Sequence, residues 1–409
     1  MRFASKLYIG IVAGILIVAV SVYMVASDRN TLLDKAALGN SDNKIKDIAA
    51  GSLFSLALME GGSVYHWGMK LHDAVYFTPD VANDAPQLVE EIEDIKFIDA
   101  KWGVAAAHDG ALWVWGSNGS IFDTEEREIS PRRVEGLAHV SKVAIGNSFL
   151  VVLQEDGTVW SLGTNYTGQL GNGDEIDLGS DPDTFDYKEV FVPAQITGIP
   201  KMMDIAAGDK HALALAENGT VWAWGANESG QLGDGTDVPK SSPKQIESLS
   251  NITAIDAGYD FSMALTKEGE VWAWGSNSSG EIGDGTPIDR NGLDNNIKLP
   301  SQTKDLSNIV EISAGLSYAL ALDGSGNVWE WGDQEKSYLG EGHLKEHGSR
   351  SIPKQVAGLD HVASIAAGMN HSLAMKRDGT MWGWGDNGFH KISPAEAEEH
   401  TQPVHIQVE

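Results

Sequence analysis

The sequence predicts an all-β fold, a seven-bladed propeller of four-stranded blades. Three observations carry this expectation. One segment, clearest as Ile205–Gly225, recurs at Ile255–Gly275, Ile312–Gly332 and Ile365–Gly385, and more loosely at Ile48–Gly68, Ile98–Gly116 and Val143–Gly163. The terminal glycines are spaced by 48, 47, 62, 50, 57 and 53 residues, the length of a propeller blade and longer than a helical hairpin repeat. Of the 13 tryptophans, only Trp102 falls outside the Trp-x-Trp-Gly ends of these copies, so one packing scheme is repeated.

Each element follows from the fifth copy. Ile252-Thr-Ala-Ile-Asp-Ala alternates apolar with small or polar residues, which marks a strand. Gly258 breaks it, and Phe261-Ser-Met-Ala-Leu-Thr alternates again. Lys267-Glu-Gly269 turns the chain, with a glycine where a short hairpin needs positive φ. In Glu270-Val-Trp-Ala-Trp-Gly, the period of two sets Val271 and Ala273 on one face and Trp272 and Trp274 on the other. The glycine-rich run after it, Ser276–Thr286, predicts tight loops, and no Lys-Ser or Lys-Thr follows to make a phosphate cradle. A fourth strand is expected to open at a proline: Pro131, Pro193, Pro243 and Pro353. The chain finishes with Pro403-Val-His-Ile-Gln-Val-Glu409, and no such proline segment precedes the first copy. This C-terminal strand is therefore expected to pair into the sheet holding residues 45–68 and to close the ring, hiding two sheet edges.

The domain reading is 1–6, a short cytoplasmic N-terminus; 7–27, a transmembrane signal anchor; 28–44, a polar linker; and 45–409, the propeller. Leu7 to Ser27 carries no charge, and about 20 apolar residues span a bilayer core. Arg2 and Lys6 precede it, which keeps the short side cytoplasmic and the propeller outside, at the cell membrane. A cleaved signal peptide is the competing reading, with a shorter apolar run and a small-x-small site that Met24-Val25-Ala26 matches poorly.

The formal charge is −29 and there is no cysteine. Disulfides, thiolate metal sites and cysteine nucleophiles are excluded, and so acid a surface repels phosphate backbones, which disfavours nucleic acid. No Gly-x-Ser-x-Gly elbow occurs, and the scattered carboxylates select no catalytic pair, so the expectation is that the protein is not an enzyme.

Asp209-Lys-His211-Ala-Leu, Met369-Asn-His371-Ser-Leu and Glu228-Ser-Gly-Gln-Leu-Gly-Asp-Gly-Thr236 resemble the repeat of the regulator of chromosome condensation family. The resemblance covers about residues 45–409 and implies the propeller. The founding member is a nuclear guanine-nucleotide exchange factor for a small GTPase. Other relatives look like secreted β-lactamase inhibitors, ubiquitin-ligase modules or surface proteins. The shared motif is scaffold and transfers no active residue. This chain is read as a bacterial-type, membrane-anchored member, and the outside location disfavours exchange activity.

Frame positions repeat because packing demands them; positions that differ between copies are free to bind. The loops just after the blade glycine differ, and they yield Trp102, Asp209, Tyr259, Asp260, Met369 and Asn370 as candidate partner-binding residues. The alternative for these side chains is packing against neighbouring blades. One step on stand Phe54, Phe149, His211, Phe261, Tyr318 and His371. The aromatic counterparts mark His211 and His371 as fillers of a common slot rather than catalysts. The acidic insert with Asp177, Asp181, Asp183 and Asp186 offers oxygens to Ca2+, though without the glycine and glutamate of an EF-hand loop, and a solvated loop is the alternative. The expected function is protein–protein binding at the cell surface, with a protein partner and no other cofactor. The alternative is an enzyme acting on an envelope polysaccharide or peptide.

Overall fold

The computed structural model describes residues 44–69, 82–101, 104–116, 131–174, 189–288, 295–333, 349–394, 397 and 399–408. Every strand given below belongs to the unit 45–409.

Seven antiparallel four-stranded sheets follow one another along the chain. Blade 1 holds β1 (Ile45–Ala50), β2 (Phe54–Met59), β3 (Val64–Met69) and β4 (Ala82–Leu88); blade 2 holds β5 (Phe97–Lys101), β6 (Val104–His108), β7 (Leu112–Gly116) and β8 (Arg132–Val134). Blade 3 holds β9 (Val140–Ile145), β10 (Phe149–Gln154), β11 (Val159–Thr164) and β12 (Glu189–Gln195); blade 4 holds β13 (Met202–Ala207), β14 (His211–Ala216), β15 (Val221–Gly225) and β16 (Lys240–Gln245). Blade 5 holds β17 (Ile252–Ala257), β18 (Phe261–Thr266), β19 (Val271–Gly275) and β20 (Ile297–Gln302). Blade 6 holds β21 (Ile309–Ala314), β22 (Tyr318–Asp323), β23 (Val328–Gly332) and β24 (Arg350–Gln355). Blade 7 holds β25 (Val362–Ala367), β26 (His371–Lys376), β27 (Met381–Asp386) and β28 (Glu399–Ile406).

The period of two builds the core. On β19, Trp272 and Trp274 enter the cluster shared with blade 4, whereas Val271 and Ala273 enter the cluster shared with blade 6. Each sheet is thus apolar on both faces, and the cores lie between blades. Removing a large apolar side chain from water contributes about 2–3 kcal/mol, so the repeated tryptophan is a main stabilising element.

Glycine and ring are coupled at the start of the second strand in every blade but blade 2. A Cβ on Gly258 would lie 2.0 Å from the Phe261 ring, and one on Gly208 would lie 2.1 Å from His211. The ring lies flat over the glycine and occupies the space a side chain would need. Phe54, Phe149, His211, Phe261, Tyr318 and His371 are all buried, at 1% exposure or less, so the two histidines do share the aromatic slot.

Two expectations are corrected. The C-terminal strand does not join the first sheet: β28 pairs with β27, Trp382 facing His405, and stays in blade 7. Blade 1 is completed by its own β4, with Tyr65 facing Leu88, so Ala85-Pro86-Gln87-Leu88 is the fourth-strand segment that the proline pattern overlooked. Every blade is therefore continuous in sequence, and no strand is exchanged at the closure, where Ile48, Ala57 and Trp67 pack with Leu373, Met381, Ile392 and Ile406. The second correction concerns proline. Pro131 immediately precedes β8, but Pro193, Pro243 and Pro353 lie inside their strands. Between Ala223↔Lys244 and Gly225↔Lys240 the register shifts, and Pro243 sits in that bulge, where the ladder asks for no N–H.

Among the described residues no helix is long and apolar enough to cross a membrane. The expected anchor, 7–27, lies outside the described residues.

Candidate functional site

In blades 3, 4 and 5 the loop between the first two strands and the glycine-rich loop after the third strand emerge at the same end of the blade, because antiparallel strands alternate direction. The first set of loops is stitched blade to blade. Asn147 N donates to Asp209 O at 2.9 Å, Asp209 N to Tyr259 O at 2.9 Å, and Tyr259 N to Leu316 O at 3.2 Å. Met369 N donates to Gly51 O at 3.2 Å and carries the same stitch across the closure. These bonds tie the loops of blades 3 to 6 into one series and that of blade 7 to blade 1, so side chains at the junction of blades 4 and 5 stand on a cross-linked backbone.

Asp209, Tyr259 and Asp260 come together there, at the junction of blades 4 and 5. Tyr259 is exposed at 37%, while Asp209 beneath it is buried at 2%. Lys210 Nζ lies 3.6 Å from Asp209 Oδ2. Gln231 Nε2 donates to Asp260 Oδ1 at 3.1 Å, and Glu228 Oε2 accepts from Asn227 N at 3.1 Å. The electrostatics are those of crowded anions. Burial raises the Asp209 carboxyl, against the pull of Asn147 and Lys210. Burial, then the charges of Asp209 and Glu228, push Asp260 up to about 6. The Asp209 charge, then burial, raises the Tyr259 phenol. Two carboxyls, Asp209 and Asp260, thus flank a partly exposed ring with one ammonium beside them and Glu228 near Asp260, an arrangement that favours an incoming cation.

Met369 and Asn370 are half-buried in the equivalent loop of blade 7. Asp386 N donates to Asn370 O at 2.9 Å, and the Asp386 carboxylate is paired with the fully buried Lys391 at 3.2 Å. They share the loop end with Asp209 but not its notch. Trp102 and the acidic insert with Asp177, Asp181, Asp183 and Asp186 lie outside the described residues. Among the described residues no group of three His, Asp or Glu side chains is placed to hold a metal ion.

Sequence reasoning missed a second polar feature, the axis. The inner strands line a channel of about 230 Å3 with Asp47, Asp99, Lys101, Lys142, Asp256 and Ser313 on its wall. The signal was present: Asp47, Lys142, Asp204 and Glu311 occupy one register position, facing Leu58, Leu153, Leu215 and Leu322, and they differ in charge. The rule that variable positions escape the packing frame applies to them as it does to the loops.

Comparison with known proteins places this geometry. The chain matches the family described as RCC1-like domain over residues 27–302 and 178–409. It is 27% identical over 378 residues to the ultraviolet-B receptor UVR8 of Arabidopsis thaliana, covering 89% of this chain and 70% of the receptor. It is 25% identical over 393 residues to the regulator of chromosome condensation of Homo sapiens, covering 91% of this chain and 79% of that protein. The crystal structure of human WBSCR16 superposes with a TM-score of 0.71 at 19% identity, over 85% of this chain and 94% of that one. Seven blades, the glycine–ring coupling and these matches agree, and the chain belongs to the RCC1-like domain family.

Proposed function

We propose that this protein is a protein-binding platform whose loop end, at the junction of blades 4 and 5, takes a basic segment of a partner protein. The observation that carries this reading is the exposed Tyr259 ring beside Asp209 and Asp260, with Glu228 near Asp260 and Lys210 the neighbouring cation. An aromatic face beside carboxylates suits an arginine or lysine side chain, by ion pairing and by cation–π attraction. The loop stitching keeps the notch preorganised. The relatives' names, a light receptor and a regulator of chromosome condensation, describe unrelated tasks on one scaffold, which favours a platform over shared chemistry. The uncharged run Leu7–Ser27, preceded by Arg2 and Lys6, supports anchorage in the cell membrane with the propeller outside the cytoplasm.

The test is selection of a random peptide library on the full chain. Basic sequences should be enriched, bind less tightly as salt rises, and lose binding with Tyr259→Ala and Asp260→Lys. Asp378→Lys, in a hairpin turn at the other end of the blade, should bind normally. Enrichment of acidic or apolar peptides, or equal loss with Asp378→Lys, overturns the reading. Protease treatment of intact cells tests location: a protected propeller removes the outside placement and leaves the notch to be judged separately.

A further inference from the structure

The inner strand of each blade is a sheet edge facing the axis, so its amides need partners from outside the sheet. Polar side chains of the preceding blade supply them. Asp99 Oδ2 accepts from Ile145 N at 3.2 Å, Asp256 Oδ2 from Ala314 N at 2.7 Å, and Ser313 Oγ from Ala367 N at 3.0 Å. Glu311 Oε1 accepts from Ile365 N at 3.1 Å and from Ser364 Oγ at 2.9 Å. These bonds fasten blade 2 to 3, 5 to 6, and 6 to 7.

The cations of the axis are spent elsewhere. Lys142 Nζ donates to Asp204 Oδ1, between blades 3 and 4. Lys101 stands at the register position where the other copies have glycine, and its strand partner is Val104 instead of an aromatic residue. With no ring to lie over it, the position tolerates a side chain. Lys101 Nζ reaches across the channel to Ala207 O at 2.7 Å and Ala257 O at 2.6 Å. Among the described residues, the sector of blades 6, 7 and 1 has Asp47 on the channel wall, Glu311 at the same register position, and no lysine on that wall. Lys46, next to Asp47, is exposed and donates to Lys96 O at 3.0 Å.

We propose that this sector is a proton-operated clasp: Glu311 and Asp47 carry protons while blades 6, 7 and 1 are tightly packed, and their ionisation loosens that packing. Asp47 on β1 and Asp256 on β17 are the charged groups that act on Glu311, Ser364 and Ile365 on β25 donate to it, and β22 behind it places Leu322 opposite. The three channel carboxyls Asp47, Asp99 and Asp256, with Glu311 coupled to two of them, cannot all ionise at low cost in so narrow a space. Burial, then the charges of Asp47 and Asp256, push Glu311 up to about 7, against the bonds from Ile365 and Ser364. Burial pushes Asp47 up to about 6, with Asp99 adding to it and the bond from Ile48, Lys46 and Lys142 opposing. For a carboxyl raised on folding, the folded state holds the extra proton. The stabilisation is present at mildly acid pH and is lost as pH rises through about 6 to 7.

Glu311→Gln imitates the protonated side chain and keeps the acceptor for Ile365 N. The full chain carrying it should unfold at a higher temperature than wild type at pH 8, and the gap should close at pH 5. Hydrogen exchange of residues 362–367, corrected for its intrinsic pH dependence, should quicken above pH 7 in wild type and stay level in the variant. Asp47→Asn should behave alike at slightly lower pH. A gap independent of pH, or a Glu311→Gln chain less stable at pH 8 than at pH 5 relative to wild type, overturns the clasp. So does wild-type protection of 362–367 that is constant from pH 5 to 8, a result that needs no variant to fold.

Discussion

The Ser55 hydroxyl and the His371 imidazole lie 2.8 Å apart across 316 residues of chain, joining the first blade to the last. Ser55 Oγ donates its single hydrogen to Lys391 O at 2.8 Å, so His371 Nε2–H is the donor to Ser55, which fixes the tautomer. Trp67 Nε1 donates to the same carbonyl at 2.9 Å. An ordinary junction has the same parts: His211 Nε2 bonds Ser262 Oγ at 3.0 Å, and Ser262 and Trp274 both donate to Gln231 O at 2.8 Å. The seam is thus one more blade junction, with Lys391 standing where another copy has Gln231. Ser55→Ala strands the buried His371 N–H and should cost about 1–3 kcal/mol, as should Ser262→Ala. Urea unfolding of both variants checks this, and a neutral Ser55→Ala beside a costly Ser262→Ala would mean that the seam adds nothing to stability.

The two tryptophans of one strand should differ sharply. Trp224 is fully buried, and its Nε1 donates to Gln169 O at 2.9 Å, in the loop of the preceding blade. Trp222 is half-buried and packs at the margin of the same cluster. Trp224→Phe removes packing volume and leaves the Gln169 carbonyl without this donor, so a loss of about 2–4 kcal/mol is expected, against about 1 kcal/mol for Trp222→Phe. Equal losses in denaturant midpoint would refute the assignment of the indole N–H as a latch between blades.

The blades were legible because their strongest signals are local. Gly-x-Val-Trp-Ala-Trp-Gly writes a turn, an alternation and a stop within seven residues, and the structure returns β15 and β19 within a residue of that reading. Closure was misread because Pro86 was passed over as a fourth-strand marker, and one missing strand shifts the whole pairing scheme. The loop end could be named from residues that escape the repeat, but not the notch within it: joining Asp209 to Tyr259 and Asp260 needs the distance between two blades, which no local pattern contains. The axis was missed for the opposite reason. Asp47, Lys142, Asp204 and Glu311 look like the polar half of an ordinary alternation, and only the ring turns that half inward.

The glycine–ring coupling gives a paired test. Gly258→Ala would set a Cβ against the buried Phe261 ring, which lies 2.0 Å away and has no free space behind it, so a loss of about 3 kcal/mol or more is expected. Blade 2 shows what relieves the conflict, since Lys101 replaces the glycine where Val104 replaces the ring. Gly258→Ala with Phe261→Val should therefore lose less than the two single losses added together, with a favourable coupling of about 1–2 kcal/mol in a double-mutant cycle. Strict additivity would disprove the coupling.

Histidines and axial carboxyls pull the pH profile in opposite directions, and His211 separates them. Burial, then the Lys101 charge, lowers its imidazole to about 3 from an ordinary 6.5. The folded state therefore binds fewer protons than the unfolded chain, so the stability from this residue is whole above pH 6.5 and falls as pH drops toward 3. Two pH units below 6.5, at about pH 4.5, the loss amounts to roughly 3 kcal/mol from this group alone. His211→Phe copies the residue of the neighbouring blade, Phe261, and gives up the bond to Ser262 and the interaction with the Phe261 backbone, which costs about 1–2 kcal/mol at neutral pH. The variant should then be the less stable protein at pH 7.5 and the more stable one at pH 4.5, a crossover that simple loss of packing cannot produce. Urea midpoints at the two pH values decide it: a gap of constant sign and size would mean that His211 is not held neutral by the fold. The same comparison with Glu311→Gln should run the other way, its advantage growing toward alkaline pH, so the two variants together distinguish a histidine that must stay neutral from a carboxyl that must stay protonated.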